Sequence, residues 1–467
     1  MAFADLRETL AAFRERGWVL DVDRPLSARY EVAAVLALVT REGPRACVFT
    51  HVVPDATPVG PIGDPAAPAM PVVANMVHSR DVLALAMGVG FDELVDTYGA
   101  RMRAPVDPLL VDDAPVLEVG LGDGEFDLTT LLPMLTHYEG DAGPFITAGM
   151  AAMVDPFTGA THRTICRMQL LGRDRLGLGF ANPPLGQLWQ TWVEAGESVR
   201  VAVVVGLEPV TLLAGALPPV AGVDKLRSGG GLRAEPIDVV AGPYSGVHVP
   251  ARAELLIEGD LEGPGVVNGP LGEISGYYLT FSPTPTLRVR RISHRTSPLY
   301  QALLPTGPEG DYLTGLVVEA QLAPHLRGLY SFARELAFAP GTFGSSLVVS
   351  VAKTDRTRAR GLLYHLLSLE RVKKVVLVAE DVDPNDARLV EWSIVTRSQP
   401  DVDVLVVSDV LGHPIDPSAT SGKRTSRVGI DATGFGYPDT ELRVTHPAGA
   451  LARAREVLGR PAILGRD

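Results

Sequence analysis

RAELLIEGDLEGPGVV, residues 252–267, opens on the apolar run Leu255–Ile257 and then passes through Gly259, Gly263, Pro264 and Gly265. An apolar run this short, bounded by Gly and Pro, reads as a β-strand rather than a helix. RVAVVVGLEPV (200–210), EPIDVVAGPYSGVHVP (235–250) and PTLRVRRISHR (285–295) have the same character. Short β-branched strands punctuated in this way predict a β-barrel or sandwich core over about 110–310. One helix is expected inside it, around Leu185–Glu197.

Outward from this core both flanks mix helix and strand. Upstream, Leu6, Leu10, Ala11 and Phe13 fall near helical spacing, and a second helix is expected over Tyr30–Thr40. ACVFTHVV (46–53) and PVVANMV (71–77) read as short buried strands, followed by a helix around Arg80–Tyr98 and a Pro-, Gly- and Asp-rich boundary near 105. Downstream, SLVVSVAK (346–353), KKVVLVAE (373–380) and VDVLVVS (402–408) alternate with helices at Arg358–Leu369 and Asn385–Thr396. That alternation predicts a parallel α/β layer. The expected division is an N-terminal α/β domain (1–108), the β-rich centre (109–312), a second α/β domain (313–445) and a helical tail (446–467), with the closing helix at Ala448–Leu458.

The 467 residues are 46% hydrophobic and 21% charged, which excludes disorder as the main description. The net charge of −13 argues against a nucleic-acid backbone or an anionic membrane as partner. It leaves room for a small anionic substrate in a local basic pocket. Cys47 and Cys166 are expected as two buried thiols in a reducing cytoplasm. The N-terminus has no uninterrupted apolar centre of a signal peptide. The most apolar stretch, Val201–Val223, carries Glu208, Pro209, Pro218 and Pro219 and reads as buried strand and loop rather than a membrane span.

No G-x-x-x-x-G-K-[ST], H-E-x-x-H or G-x-S-x-G occurs. Gly120, Gly122 and Gly124 read as a turn, and the isolated His51, His78, His325, His365 and His446 as structural residues. SGGGLR (228–233) reads either as a phosphate cradle of backbone N–H groups or as a flexible connector. Three segments place polar residues on apolar or Gly-rich backgrounds. THRTICRMQLLG (161–172) carries Arg167, which on a strand would point inward and need an anionic partner or several acceptors. GVDKLRSGGGLRA (222–234) carries Asp224, and NGPLGEISGYY (268–278) displays Asn268 and Glu273. Spacing alone leaves these as an ion pair and turns. Glu254 and Glu258 are expected on a solvated strand face.

Long blocks in a fixed order resemble a known family. They are DAGPFITAGMAAMVDPFTGATHRTICRMQLLG (141–172), QTWVEAGE (190–197), GVDKLRSGGGLRAEPIDVV (222–240), the 251–278 stretch ending in NGPLGEISGYY, and TSRVGIDAT (425–433). The resemblance is to the UbiD-like decarboxylases that use prenylated FMN, and it spans nearly the whole chain. It implies an α/β multidomain fold in which a flavin-reductase-like split β-barrel is flanked by N- and C-terminal α/β domains. It also implies a reversible carboxy-lyase acting on aromatic, heteroaromatic or other α,β-unsaturated carboxylic acids through a covalent prenylated-FMN adduct. Mn²⁺ or Mg²⁺, and K⁺, accompany the cofactor phosphate in such enzymes. A flavin prenyltransferase supplies the cofactor, and a homodimer or higher homo-oligomer is expected.

Carried over by position, Arg167 falls on the family Arg and Glu273 on the acid that donates the proton. Asn268 stands where a first acid is usual. Arg167, Met168, Gln169 and Arg427 (in place of a Lys) fall on cofactor-binding positions. Asp224 and His162 fall on metal-ligand positions, as shorter or altered versions of the usual Glu and Asn. A family His at the start of the inserted helix is replaced, since Pro183, Pro184 and Leu185 stand there. The chemistry agrees with the residues, because loss of CO₂ from an sp² carbon needs an electron sink that no ordinary side chain provides. Two alternatives stay open: an oxidoreductase using unmodified FMN on the same barrel, and a catalytically silent member serving as a binding subunit.

Overall fold

A computed structural model describes residues 2–43, 45–53, 70–180, 185–218, 222–413, 415–420, 423–437, 444 and 446–457. It divides into two compact units, Met1–Val317 and Val318–Asp467. Pro183, Pro184 and the last residue of the expected closing helix lie outside the described residues.

The first unit is built on a nine-stranded antiparallel sheet. Its strands are β1 (Val119–Leu121), β2 (Phe145–Ile146), β3 (Met150–Val154), β4 (Thr161–Ile165), β5 (Arg167–Gly172), β6 (Arg175–Gly179), β7 (Arg200–Val205), β8 (Leu255–Gly272) and β9 (Tyr278–His294). The spatial order is β4-β3-β7-β8-β9-β6-β5-β2, with β1 added on β9. Cys166 alone joins β4 to β5, yet these strands lie toward opposite ends of that order. A one-residue connection cannot span a flat sheet of this width, so the sheet curls until its two ends approach. This is the barrel-like core expected from the strand pattern, although no ladder closes the ring among the described residues.

Every residue of Val201–Val205 is buried, because β7 is covered on both faces. Ile165, on β4 two strands over, packs toward Gly215 of the helix Pro209–Ala216. The inserted helix Leu185–Glu194 sends Trp189 and Trp192 into the core. A four-stranded sheet sits in the same unit, ordered Val19–Val22, Ala46–Phe49, Val72–Ala74 and Tyr300–Ala302. Its fourth strand comes from beyond the central sheet in sequence, so the N-terminal segment is completed by residues some two hundred positions away. The helix Leu6–Glu15, capped by Asp5, buries Leu6, Leu10 and Phe13 against it. Cys47 and Cys166 are buried and unpaired.

The second unit carries a five-stranded sheet ordered Ala333–Phe338, Ser346–Val351, Lys374–Ala379, Arg424–Ala432 and Val404–Leu411. The three inner strands are parallel, but both edge strands run antiparallel. The sheet is therefore mixed rather than wholly parallel, and TSRVGIDAT supplies the strand that displaces Val404–Leu411 to the edge. With one neighbour only, that edge strand keeps much of its length exposed.

Two other expectations are corrected. SGGGLR is neither cradle nor connector but part of the helix Lys225–Arg233. Its glycines serve close packing: a Cβ at Gly230 would lie 2.7 Å from the Val106 carbonyl, and one at Gly231 2.7 Å from the Ala104 carbonyl. Glu254 and Glu258 are fully buried rather than solvated. Glu254 pairs with Arg7 at 2.8 Å, and Glu258 accepts from the Ser245 amide and hydroxyl at 2.8 and 2.7 Å. Chain segments remote in sequence cover that strand face, which alternation along one strand cannot reveal. No described helix is long and apolar enough to cross a membrane.

Candidate active site

Arg167 opens β5, and strand alternation puts it and Gln169 on one face and Met168 on the other. The guanidinium is buried and held on every side. Nε donates to Asn268 Oδ1 at 2.8 Å, and Nη2 donates to the carbonyls of Asn268 and Leu279, both at 2.9 Å. Nη1 donates to Glu273 Oε1 at 2.5 Å, and the Phe281 ring lies beneath the group at 4.1 Å. Four of the five guanidinium N–H groups are thereby used. The fifth, on Nη1, points out of the pair.

The partners arrive from the far end of β8. Asn268 is wholly buried and uses its amide in both directions, accepting from Arg167 and donating from Nδ2 to the Gly177 carbonyl at 2.7 Å. Gly269 follows with φ +107°, where an added Cβ would sit 2.9 Å from Arg167 Nη2. Only glycine suits both the backbone angle and the space. Glu273 begins the turn between β8 and β9. Burial raises its carboxyl proton affinity above the ordinary range, and Arg167 opposes that push without cancelling it.

One residue at this site escaped the sequence reading. Asp141 is a buried carboxylate whose Oδ2 accepts from the His137 and Tyr138 amides and whose Oδ1 accepts from the Gly272 amide, each at 2.9 Å. It ties the segment before β2 to the residue preceding Glu273, and its negative charge adds to the upward push on Glu273. Two further bonds stitch the same surfaces: Ala142 N–H to the Pro270 carbonyl at 2.8 Å, and Gly269 N–H to Gln169 Oε1 at 2.9 Å. In sequence Asp141 sits in D-A-G-P, which any surface turn could carry.

The other sequence-predicted residues are placed as follows. Gln169 supports the Gly269 loop. The Met168 side chain is in the apolar core, so only its backbone is available to a cofactor. Arg427 lies in the second unit, where it donates to the carbonyls of Leu367, Glu370 and Leu411. Those bonds make it a brace of that unit's own sheet and helix. Asp224 caps the helix Lys225–Arg233 through the Leu226 amide at 2.9 Å and accepts from Arg163 Nε at 2.8 Å. His162 lies 3.8 Å from Asp155 instead.

These placements bear on the implied groups. A flavin fits: Arg163 Nη1 is a buried donor without a hydrogen-bond partner, as a site for a polar ligand would leave it. A divalent metal fits poorly, because Asp224 Oδ1 is taken by Arg163 and the Leu226 amide and the guanidinium already supplies a positive charge there. Among the described residues no group of three His, Cys, Asp or Glu could hold one.

A curled antiparallel sheet thus brings the buried Arg167 and the part-buried Glu273 together beside a Gly-rich hairpin turn. The chain belongs to the UbiD family. It matches the 3-octaprenyl-4-hydroxybenzoate carboxy-lyase N-terminal domain over residues 10–102, the Rift-related domain over 109–308 and the C-terminal domain over 311–432. Anhydromevalonate phosphate decarboxylase of Methanosarcina mazei is 30% identical over 433 residues, 91% of this chain and 95% of that protein. The UbiD-class enzyme HmfF of Pelotomaculum thermopropionicum, solved with FMN, superposes with a TM-score of 0.87 at 31% identity over 96% of this chain and 98% of that one. An evolved dimeric form of the same enzyme, solved with prFMN, gives 0.84 at 30% identity over 96% and 98%. The chain is accordingly a carboxy-lyase.

Proposed function

We propose that this carboxy-lyase is a prenylated-FMN-dependent, reversible decarboxylase of an aromatic, heteroaromatic or other α,β-unsaturated carboxylic acid, with Glu273 as proton donor. The observation that carries the reading is the 2.5 Å contact between Arg167 and Glu273, whose proton affinity burial raises. Hydride transfer to a flavin has no need of such a pair, so the oxidoreductase alternative gains no support from it. When bound, the modified flavin supplies the electron sink for the pair of electrons left on carbon as CO₂ departs.

The chain's own residues do the rest. The free N–H on Arg167 Nη1 is placed to orient a carboxylate or a flavin oxygen by a charge-assisted bond. Glu273, whose burial favours the protonated form relative to water, is the group that delivers a proton to carbon. Once it has done so, Arg167 stabilises the resulting carboxylate at the same 2.5 Å contact. Asn268 holds the guanidinium plane, and Gln169 and Asp141 hold the loop that carries Glu273. The flavin reading keeps a prenyltransferase as cofactor supplier and a homo-oligomer as the working form. No step is assigned to a metal.

Glu273→Gln should lower turnover by about 10²-fold or more while leaving flavin content unchanged. Steady-state rates together with the flavin absorbance of the purified variant decide this. Wild-type turnover in the variant would remove Glu273 from the donor role.

A further inference from the structure

The expected metal ligand Asp224 is already occupied by a cation that belongs to the chain. Arg163 lies on β4 beside His162, with its side chain all but inaccessible, and its Nε reaches Asp224 Oδ1 at 2.8 Å. The same oxygen also accepts the Leu226 amide at 2.9 Å. A divalent ion placed at this carboxylate would sit beside the guanidinium, and the two cations would repel.

Lys225, the next residue along, is buried and donates from Nζ to the Gly215 carbonyl at 2.9 Å, so it offers Arg163 no acceptor. The neighbouring acid, Asp155, is spent on its own turn, accepting from the Phe157 and Thr158 amides at 2.8 and 3.3 Å. Arg163 Nη1 is buried with no acceptor at all. A buried guanidinium donor without a partner calls for an acceptor, and a guanidinium fork matches phosphate oxygens.

We infer that Arg163, locked on Asp224, holds the phosphate of the flavin in place of a divalent cation, so that flavin binding by this chain is independent of metal. The inference rests on the flavin reading above. It assigns to this site a phosphomonoester as ligand class and to Asp224 the task of orienting an arginine.

The test is titration of flavin-free protein with FMN and with riboflavin, each followed by fluorescence, in EDTA and again in Mn²⁺. Elemental analysis of the flavin-loaded protein runs alongside. The expected result is one FMN affinity in both buffers, riboflavin weaker by about 10- to 100-fold, and no stoichiometric metal. Arg163→Met combined with Asp224→Asn removes both charges, avoids a lone buried carboxylate and keeps a capping oxygen. In that variant FMN should weaken to the riboflavin level while riboflavin binding stays unchanged. FMN affinity lost in EDTA and restored by Mn²⁺ would overturn the inference, as would wild-type FMN binding by the double variant. Equal binding of FMN and riboflavin by the wild type would overturn it while leaving the flavin reading intact. Binding of neither flavin would take both down together.

Discussion

At position 268 an amide performs a task that a carboxylate could not, because Asn268 must accept from Arg167 and donate to the Gly177 carbonyl at once. Asn268→Asp keeps the acceptor but sets a carboxylate oxygen against a buried carbonyl. We expect a loss on the order of 1–3 kcal/mol in thermal or urea unfolding, with the loss smaller in acid, where the new group is protonated. Asp141 acts through charge as well as through its three accepted amides. Asp141→Asn withdraws a negative charge from Glu273, so the Glu273 proton affinity should fall. The basic limb of the kcat/KM profile should then move to lower pH, with a KM change that stays small. A limb that does not move would leave Asp141 as a merely structural tie. The two positions also mark the limit of reading residues from sequence. Asn268 stood out because it broke a resemblance, whereas Asp141 looked like any turn aspartate.

Elements were legible where burial follows local pattern and illegible where distant chain supplies the cover. SLVVSVAK and KKVVLVAE became the strands Ser346–Val351 and Lys374–Ala379 much as their apolar runs predict. SGGGLR became part of a helix despite its glycines, which sit where the carbonyls of Ala104 and Val106 leave no room for a Cβ. The start of the helix Pro308–Leu329 offers a case that can be measured. Glu309 there is fully buried, accepts from the Val77 and Asn75 amides at 2.9 and 3.2 Å, and has its carboxyl pushed up by burial from an ordinary 4.5 to about 7. A folded-state proton affinity above the unfolded one stabilises the fold while the group is protonated. That contribution is complete below pH 4.5 and is lost as pH rises through about 7, a change on the order of 3 kcal/mol. Denaturant midpoints measured across that window should fall with rising pH in the wild type. Glu309→Gln should flatten the slope, and an unchanged slope would place the effect elsewhere.

For the whole molecule, the acidic balance of −13 and the large apolar fraction suit a protein that buries its chemistry and meets a small ligand. The order of strands in the nine-stranded sheet was beyond local reading, since β4 and β5 are sequence neighbours that end up toward opposite ends of it. The same curling brings Arg167 to Asn268 and Glu273 across about a hundred residues of chain. Only the resemblance, and not spacing, pointed to that meeting in advance. The carbonyls that hold Arg427 come from positions as distant as Leu367 and Leu411, which its own stretch TSRVGIDAT does not foretell. The central claim is that this family member works with a modified flavin. It is tested most directly by the mass of the flavin released from protein expressed together with a flavin prenyltransferase. The account predicts the mass of prenylated FMN, and plain FMN from a protein so supplied would contradict it.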